Sequence, residues 1–214
     1  VLFADERGAV RRLFLAGGEP VTVYTRQSVS GIAATRSGAS SSWGADDRIL
    51  IDGPSGSVVL VSASGGEPRT VIAGDSSDSG RRLFRQPNWL PGGTHALVTV
   101  LHYSSATAYG AAGLDSAIIG VLDVAAGTVR SLGIDGVTPQ YVEPGYLLFS
   151  TRNALSVKAV PFAVSKRAVS GTATVILENV RQGGGGAVNL DVAVADNGWL
   201  VAVLNRTAAP PKQV

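Results

Sequence analysis

The stretch that decides the fold is SWGADDRILIDGPSGSVVLVSASGGEPRTVI, from Ser42 to Ile72. Short apolar runs in it alternate with gaps that contain Gly, Pro or Asp. This alternation is typical of short antiparallel strands joined by tight turns. The stretch therefore predicts one four-stranded meander. Such a sheet is too small to be stable alone and needs similar sheets to pack against.

The rest of the chain contains further copies of this unit. The turn GGEP occurs at Gly17–Pro20 and again 48 positions later at Gly65–Pro68, with apolar runs in the same order around it. Trp89 follows Trp43 by 46 positions, and Tyr141 follows Trp89 by 52. A period near fifty residues, with four short strands in each period, is typical of the blades of a β-propeller.

We predict an all-β fold, a β-propeller of four-stranded antiparallel blades, in a single domain over residues 1–214. The predicted units are a partial blade at 1–24, complete blades at 38–72, 84–132 and 138–178, and a partial blade at 187–204. This gives about four to five blades, so the ring is incomplete or is completed by a homo-oligomer that pairs open blade edges. The chain does not begin with Met, and we expect it to be a segment of a larger ring.

Composition excludes several classes of partner. The net charge is +2, from 18 basic and 16 acidic residues, and no basic stripe of the kind that binds nucleic acid is present. No apolar run reaches the roughly 18 residues that a membrane-spanning helix needs, so we expect no membrane segment in this chain. The chain has no Cys, which excludes disulfides and thiolate zinc sites.

The segment WGADDRILI at Trp43–Ile51 and the two GGEP turns resemble the TolB-like, WD-type bacterial six-bladed β-propellers. Their repeat has an aromatic residue, then Ser-Pro-Asp-Gly-Arg and a short apolar strand, and later a Gly-Gly turn. The closest stretches are RQPNWLPGGTHALVTV at Arg85–Val100 and PGYLLF at Pro144–Phe149. Where Ser-Pro-Asp-Gly is replaced, as at Gly44–Asp47, the residues present still form turns.

The chain looks most like the propeller that follows the kinase domain in bacterial serine/threonine kinases. The resemblance implies a sensor or a protein-interaction module, with no catalytic residues to carry over. A sensor of that kind would lie outside the cytoplasm. The same type of propeller also accompanies serine peptidases of the prolyl oligopeptidase type, but no G-x-S-x-G nucleophile elbow occurs here.

Polar residues on the predicted inner strands are the candidate binding residues. They are Arg85, Gln86 and Asn88 of the third unit, and Asn189 and Asp191 of the last. Inner strands line the channel of a propeller, where polar groups can bind a small ligand or a cation. The alternative is that these residues only line a water-filled channel.

The two histidines are the remaining candidates for chemistry. His95 and His102 are seven positions apart on one predicted strand, so they face opposite sides of the sheet and do not readily share a metal. We expect His95 to be a structural strand residue and His102 to be the better candidate for a ligand or base. The rival function is therefore a metal-assisted or promiscuous ester or phosphoester hydrolase that uses His102 and Asp191 on an assembled propeller.

Two further expectations concern single segments. Asp75–Gly80, with the sequence DSSDSG, lacks the full calcium-loop pattern and is expected to be a solvated turn. The three tryptophans, at positions 43, 89 and 199, are expected to pack between blades. The sequence assigns no metal, no cofactor and no particular protein or small-molecule ligand.

Overall fold

The chain is all-β in the residues that the computed structural model describes, which are 1–4, 9–25, 40–77, 80–104, 113–151, 155–181, 191–195 and 198–205. Within these ranges, short strands form five antiparallel sheets, and the helical structure is a single 3-10 turn at Pro54–Gly56. No helix of the described chain has the length and apolar character that crossing a membrane requires.

The sheets are built from strands that follow one another along the chain. The first sheet contains β1 (Leu2–Ala4), β2 (Ala9–Arg12) and β3 (Val21–Thr25), and the second contains β4 (Ser41–Trp43), β5 (Arg48–Asp52), β6 (Val58–Ser62) and β7 (Arg69–Ile72). The third contains β8 (Asp75–Ser77), β9 (Gly80–Trp89), β10 (His95–Tyr103), β11 (Leu114–Asp123) and β12 (Thr128–Asp135). The fourth contains β13 (Val137–Val142), β14 (Tyr146–Ser150), β15 (Val157–Ala163), β16 (Ala168–Val169) and β17 (Thr174–Leu177), and the fifth contains β18 (Val192–Val194) and β19 (Leu200–Ala202).

Each GGEP turn joins the last two strands of its sheet, β2 to β3 in the first sheet and β6 to β7 in the second. Gly17 and Gly18 have φ of 99° and 108°, and Gly65 and Gly66 have φ of 86° and 116°. Glycine adopts these left-handed conformations without the steric cost that a Cβ would bring. The recurrence of GGEP therefore reflects a turn whose backbone requires two glycines.

Buried apolar clusters join each sheet to the next. In order along the chain, these clusters contain Val10 with Ile49, Leu50 with Phe84, Leu97 with Leu147, and Val142 with Val192. Each sheet thus buries its apolar faces against its neighbours, which is how small sheets become stable together. One strand from each of the second to fifth sheets, namely β4, β9, β13 and β18, contributes residues to one axial cavity, as in a radial arrangement of sheets. The predicted fold, an incomplete β-propeller, is confirmed.

The prediction of a solvated turn at Asp75–Gly80 is wrong for its described residues. Asp75–Ser77 forms β8, which pairs with the start of β9. The carboxylate of Asp75 accepts hydrogen bonds from the backbone N–H of Arg82 at 3.1 Å and from its guanidinium at 2.7 Å. These bonds hold a polar segment in a strand that its composition alone does not predict.

The three tryptophans differ in their surroundings. Trp89 ends β9 and packs against the cluster between the second and third sheets, with the Arg48 guanidinium 5.1 Å from the ring centre. Trp43 is at the surface, and Trp199 is 75% exposed. Trp89 therefore packs between blades as predicted, whereas the prediction is wrong for Trp199.

Candidate functional site

The candidate site is a cavity of about 260 Å³ at the point where the inner strands of four sheets converge. Its polar lining residues are Ser40, Ser41, Gln86, Asn88, Thr138, Gln140 and Ser150. The other lining residues are Pro87, Pro139, Leu148, Phe149, Val157, Val192 and Val194. None of the lining residues that the structure describes carries an ionisable side chain. The cavity therefore presents neutral hydrogen-bonding groups on an apolar wall.

Two β-bulges place the polar residues at this cavity. In β9, Arg85 pairs with Thr99 and Asn88 pairs with Leu97, so Gln86 and Pro87 together oppose a single residue. The same irregularity occurs in β13, where Thr138 and Pro139 together oppose the single residue Phe149. Gln86 and Thr138 have φ of 55° and 51°, which is uncommon for residues other than glycine. The segments QPNW and TPQY are therefore structural repeats of each other.

Gln86 links three sheets. Its backbone N–H donates to Oδ1 of Asp52 in the second sheet at 2.7 Å. Its side-chain Oε1 accepts a hydrogen bond from Oγ1 of Thr99 in its own sheet at 2.7 Å and from the backbone N–H of Thr138 in the fourth sheet at 2.9 Å. Gln86 is only 6% exposed, so these bonds satisfy polar groups that are largely removed from water.

Three of the buried polar residues occupy equivalent positions in successive sheets. Asp52 ends β5, Thr99 lies in β10 and Ser150 ends β14. Each lies three residues after the residue that pairs with the aromatic residue of the inner strand. Ser150 is hydrogen-bonded to Thr138, with 3.0 Å between the two hydroxyl oxygens. A buried polar band therefore lies beside the cavity and holds the inner strands in place.

A second set of bonds connects the inner strands directly. The Oδ1 atom of Asn88 accepts a hydrogen bond from the backbone N–H of Tyr141 at 3.0 Å. One sheet earlier, the Oγ atom of Ser42 accepts one from the backbone N–H of Trp89, also at 3.0 Å. In both cases the side chain of the residue that precedes the aromatic residue of one inner strand accepts a hydrogen bond from the backbone N–H of the aromatic residue in the next inner strand.

Burial raises the pKa of the Tyr141 hydroxyl above 10.0, and Glu143 adds to this effect.

Only some of the candidate residues predicted from the sequence are among the described residues that line the cavity. Gln86 and Asn88 line the cavity. Arg85 is half-buried, directly before the bulge, and is not among the described lining residues. Asp191 lies before β18, where its carboxylate accepts a hydrogen bond from Nε of Arg181 at 2.6 Å. Asn189 lies outside the described residues.

The histidines lie away from the cavity lining. His102 is half-buried in β10, where it pairs with Arg82 and Ser116. His95 begins the same strand; its Nδ1 is 2.9 Å from Oγ1 of Thr94, and its Nε2 is 3.5 Å from a carboxylate oxygen of Asp123. In the described part of the chain, no group of three or more His, Asp or Glu side chains is placed to hold a metal ion.

Sequence reasoning did not identify Thr138, Gln140 or Ser41 as lining residues. The motif X-Pro-polar-aromatic, present at Gln86–Trp89 and Thr138–Tyr141, is the signal that identifies the first two. Ser41 lies in a run of serines, a composition that predicts a loop as readily as an inner strand.

The fold is similar to two solved structures. The crystal structure of TolB from Acinetobacter baumannii matches with a TM-score of 0.58 and 13% identity, over 97% of this chain and 47% of the TolB chain. The crystal structure of puromycin hydrolase matches with a TM-score of 0.59 and 11% identity, over 94% of this chain and 33% of the hydrolase chain. No family model and no curated protein sequence matches the chain.

These comparisons establish the fold and nothing finer. The chain has a TolB-like propeller fold and spans less than half the length of either protein. One of the two similar structures is a hydrolase and the other is not named as an enzyme, so the fold alone does not choose between binding and catalysis. Association with a kinase domain stays a prediction.

Proposed function

We propose that this chain is a non-catalytic binding module of a larger bacterial signalling protein, and that its ligand site is the axial cavity. The neutral lining is the observation that carries the proposal. General acid-base catalysis needs groups that gain or lose a proton, and the described lining offers only amides, hydroxyls and apolar side chains. Such a surface binds uncharged groups that donate and accept hydrogen bonds.

The rigidity of the site also supports binding. Gln86 is bonded to Thr138 across two sheets, and Thr138 is bonded to Ser150 within the fourth sheet, so a ligand meets a surface that is already in place. A preformed site loses less conformational entropy when a ligand binds. The cavity is slightly smaller than the usual range of roughly 300–1,000 Å³ for drug-sized ligands. The proposed ligand is therefore a small molecule, or a short group at the end of a larger partner.

The hydrolase alternative has less support from the geometry. It needs His102 and Asp191 in one site, but neither is among the described residues that line the cavity. His102 lies within the third sheet, and Asp191 is bound to Arg181. We therefore place no catalytic step on these residues.

A thermal-shift experiment tests the proposed function. A panel of small neutral amides, ureas and polyols is compared with charged fragments of matched size, and the melting temperature of the chain is measured with each. A neutral ligand at 100 times its Kd is expected to stabilise the chain by about 2.7 kcal/mol, because it binds only the folded state. The same ligand is expected to have less effect on the Gln140→Ala variant. If charged fragments alone raise the melting temperature, the proposal is wrong.

Pairing of copies through open blade edges stays a second proposal. It is supported by the fifth sheet, in which β18 and β19 pair only with each other among the described strands, and in which Val201 is 69% exposed while Leu200 and Ala202 pack against the fourth sheet. Light scattering after size exclusion, over a hundredfold range of concentration, tests it. We expect the mass to rise with concentration and this rise to be lost in Val201→Lys; a monomer at every concentration would exclude the pairing.

A further inference from the structure

The carboxamide of Gln140 is an unused recognition group in the cavity. Gln140 pairs with Leu148 in the sheet, and its half-buried side chain lines the cavity. Within the part of the chain that the structure describes, this carboxamide makes no hydrogen bond. It therefore offers a ligand one acceptor, Oε1, beside two N–H donors on Nε2.

Asn88 presents a donor to the same cavity. The Oδ1 atom of Asn88 accepts the hydrogen bond from Tyr141, the residue that directly follows Gln140. Because a backbone N–H can only donate, this bond fixes the orientation of the Asn88 amide and leaves Nδ2 as the group that remains for a ligand. The two residues occupy equivalent positions on neighbouring inner strands.

Together these two residues offer a ligand N–H donors on Asn88 Nδ2 and Gln140 Nε2 and one acceptor, Gln140 Oε1. The complementary ligand groups are two acceptors and a donor. A cyclic imide carries these groups on one planar edge, since its N–H lies between two carbonyl groups. We infer that Asn88 and Gln140 select a ligand with a cyclic imide edge, such as a pyrimidine-2,4-dione ring. The inference rests on the proposed function, because it assigns a ligand class to the same cavity.

The geometry of the amide group favours a ring over an extended peptide. A carboxamide makes two parallel hydrogen bonds only to a partner whose donor and acceptor lie on the same side, as when Asn or Gln contacts adenine. A trans peptide group has its N–H and C=O on opposite sides and cannot form this pair. A ring holds the N–H and C=O cis, so both bonds form at once.

The rest of the lining fits an uncharged single ring. Pro87, Pro139 and Val194 provide apolar contact for the ring faces. No described lining residue is cationic, so a phosphate or carboxylate on the ligand would lose its hydration without gaining a charged partner. The described lining therefore favours a free base over a nucleotide.

Calorimetric titration of the full chain with uracil tests the inference. The matched probe is 1,3-dimethyluracil, which keeps the ring and both carbonyl groups but has no N–H. A second probe, orotate, is uracil with a carboxylate. We expect uracil to bind about tenfold more tightly than 1,3-dimethyluracil, because the methylated ring leaves the Gln140 acceptor unpaired, and we expect orotate to bind at least as weakly.

Two variants separate the recognition groups from the fold. In Asn88→Asp a carboxylate oxygen still accepts the Tyr141 N–H, but the donor toward the ligand is lost, so the affinity for uracil is expected to fall about tenfold. Ser42→Ala removes the equivalent bond to Trp89 one sheet earlier and does not alter the described lining, so it is expected to leave the affinity unchanged.

The outcomes distinguish this inference from the proposed function. If uracil and 1,3-dimethyluracil bind equally, or if Asn88→Asp binds uracil as tightly as the unmodified chain, the imide assignment is overturned. If other neutral fragments bind while uracil does not, the assignment is overturned and the proposed function stands. If no neutral fragment binds at all, both are overturned.

Discussion

The side chain of Asn88 is bonded to the backbone of Tyr141, 53 residues later, through a 3.0 Å hydrogen bond that joins the inner strands of two neighbouring sheets. Ser42 makes the same bond to Trp89. The bond therefore recurs with the repeat, although the accepting side chain changes from a hydroxyl to an amide. It is a structural connection between blades, and at Asn88 it also orients a group that faces the cavity.

Removing either of these bonds is expected to destabilise the chain. Ser42→Ala and Asn88→Ala each leave a partly buried backbone N–H without its acceptor, which costs about 1 kcal/mol or more. The two bonds join different pairs of sheets, so the effects are expected to add in the double variant. Urea unfolding measures both. A double variant no less stable than either single variant would contradict this account.

Gln86 and Gln140 form a matched pair for testing the buried polar band. Both line the cavity, but Oε1 of Gln86 accepts two hydrogen bonds, whereas the Gln140 side chain has none among the described residues. We expect Gln86→Ala to cost about 2–4 kcal/mol, because the buried Thr99 hydroxyl and the partly buried Thr138 N–H lose their acceptor, and Gln140→Ala to cost less than about 0.5 kcal/mol. Equal losses of unfolding free energy in the two variants would show that Gln86 does not link the sheets.

Glycines at two turns provide a test of packing between sheets. A Cβ at Gly56 would lie 2.5 Å from Cδ2 and 2.6 Å from Cβ of Leu83 in the third sheet, and its φ is 78°. At Gly65 φ is 86°, but a Cβ would meet nothing within 4 Å. We expect Gly65→Ala to cost about 1 kcal/mol from backbone strain alone, and Gly56→Ala to cost about 1–3 kcal/mol more because Leu83 must move. Chemical denaturation with matched m-values measures the difference, and a smaller loss in Gly56→Ala would contradict the packing described.

Asp123 is expected to make stability depend on pH below 4. Its carboxylate accepts hydrogen bonds from the backbone N–H groups of Ala126 at 2.9 Å and Ala125 at 3.0 Å. These bonds, that of Ala126 first, with smaller contributions from His95 and Arg167, lower the pKa of Asp123 below 3.8 although desolvation opposes them. Because the folded pKa lies below the unfolded one, the stabilisation is complete above the unfolded pKa and is lost as the pH falls through the folded pKa.

The Asp123→Asn variant isolates this effect. The melting temperature of the unmodified chain is expected to exceed that of the variant above about pH 5, and the difference is expected to shrink toward zero as the pH falls through the folded pKa of Asp123. Thermal melts at several pH values measure it. A difference that stays constant over this range would mean that the charge on Asp123 does not contribute.

The repeat and the all-β fold could be predicted because their signals are local. GGEP requires glycines at two positions of left-handed backbone, and the apolar runs around it alternate with turns. The inner strands could be placed by the aromatic residues that end them, at Trp89 and near the end of β13 at Tyr141. The turns and the inner strands could be predicted because both depend only on residue type and on spacing along the chain.

The candidate site could be predicted only in part, because the bulges change which residues face the axis. A regular strand alternates its side chains, but the extra residue at Gln86–Pro87 shifts this alternation, so Arg85 is not among the described lining residues while Asn88 is. Neither Gln nor Thr is a residue type that predicts positive φ, so the residue types at positions 86 and 138 do not by themselves indicate the bulges. The hydrogen bonds between sheets depend on residues about fifty positions apart and are likewise invisible to local patterns.

The most direct test of the central claim, that the axial cavity is the ligand site, is a ¹⁵N NMR titration that follows the side-chain amide signals of Asn88 and Gln140 during addition of small neutral fragments. The account predicts saturable shifts of both amides and of the backbone of β9 and β13, with outer strands such as β12 unchanged. Fragments that bind and shift the outer strands, while both amides stay unchanged, would contradict it.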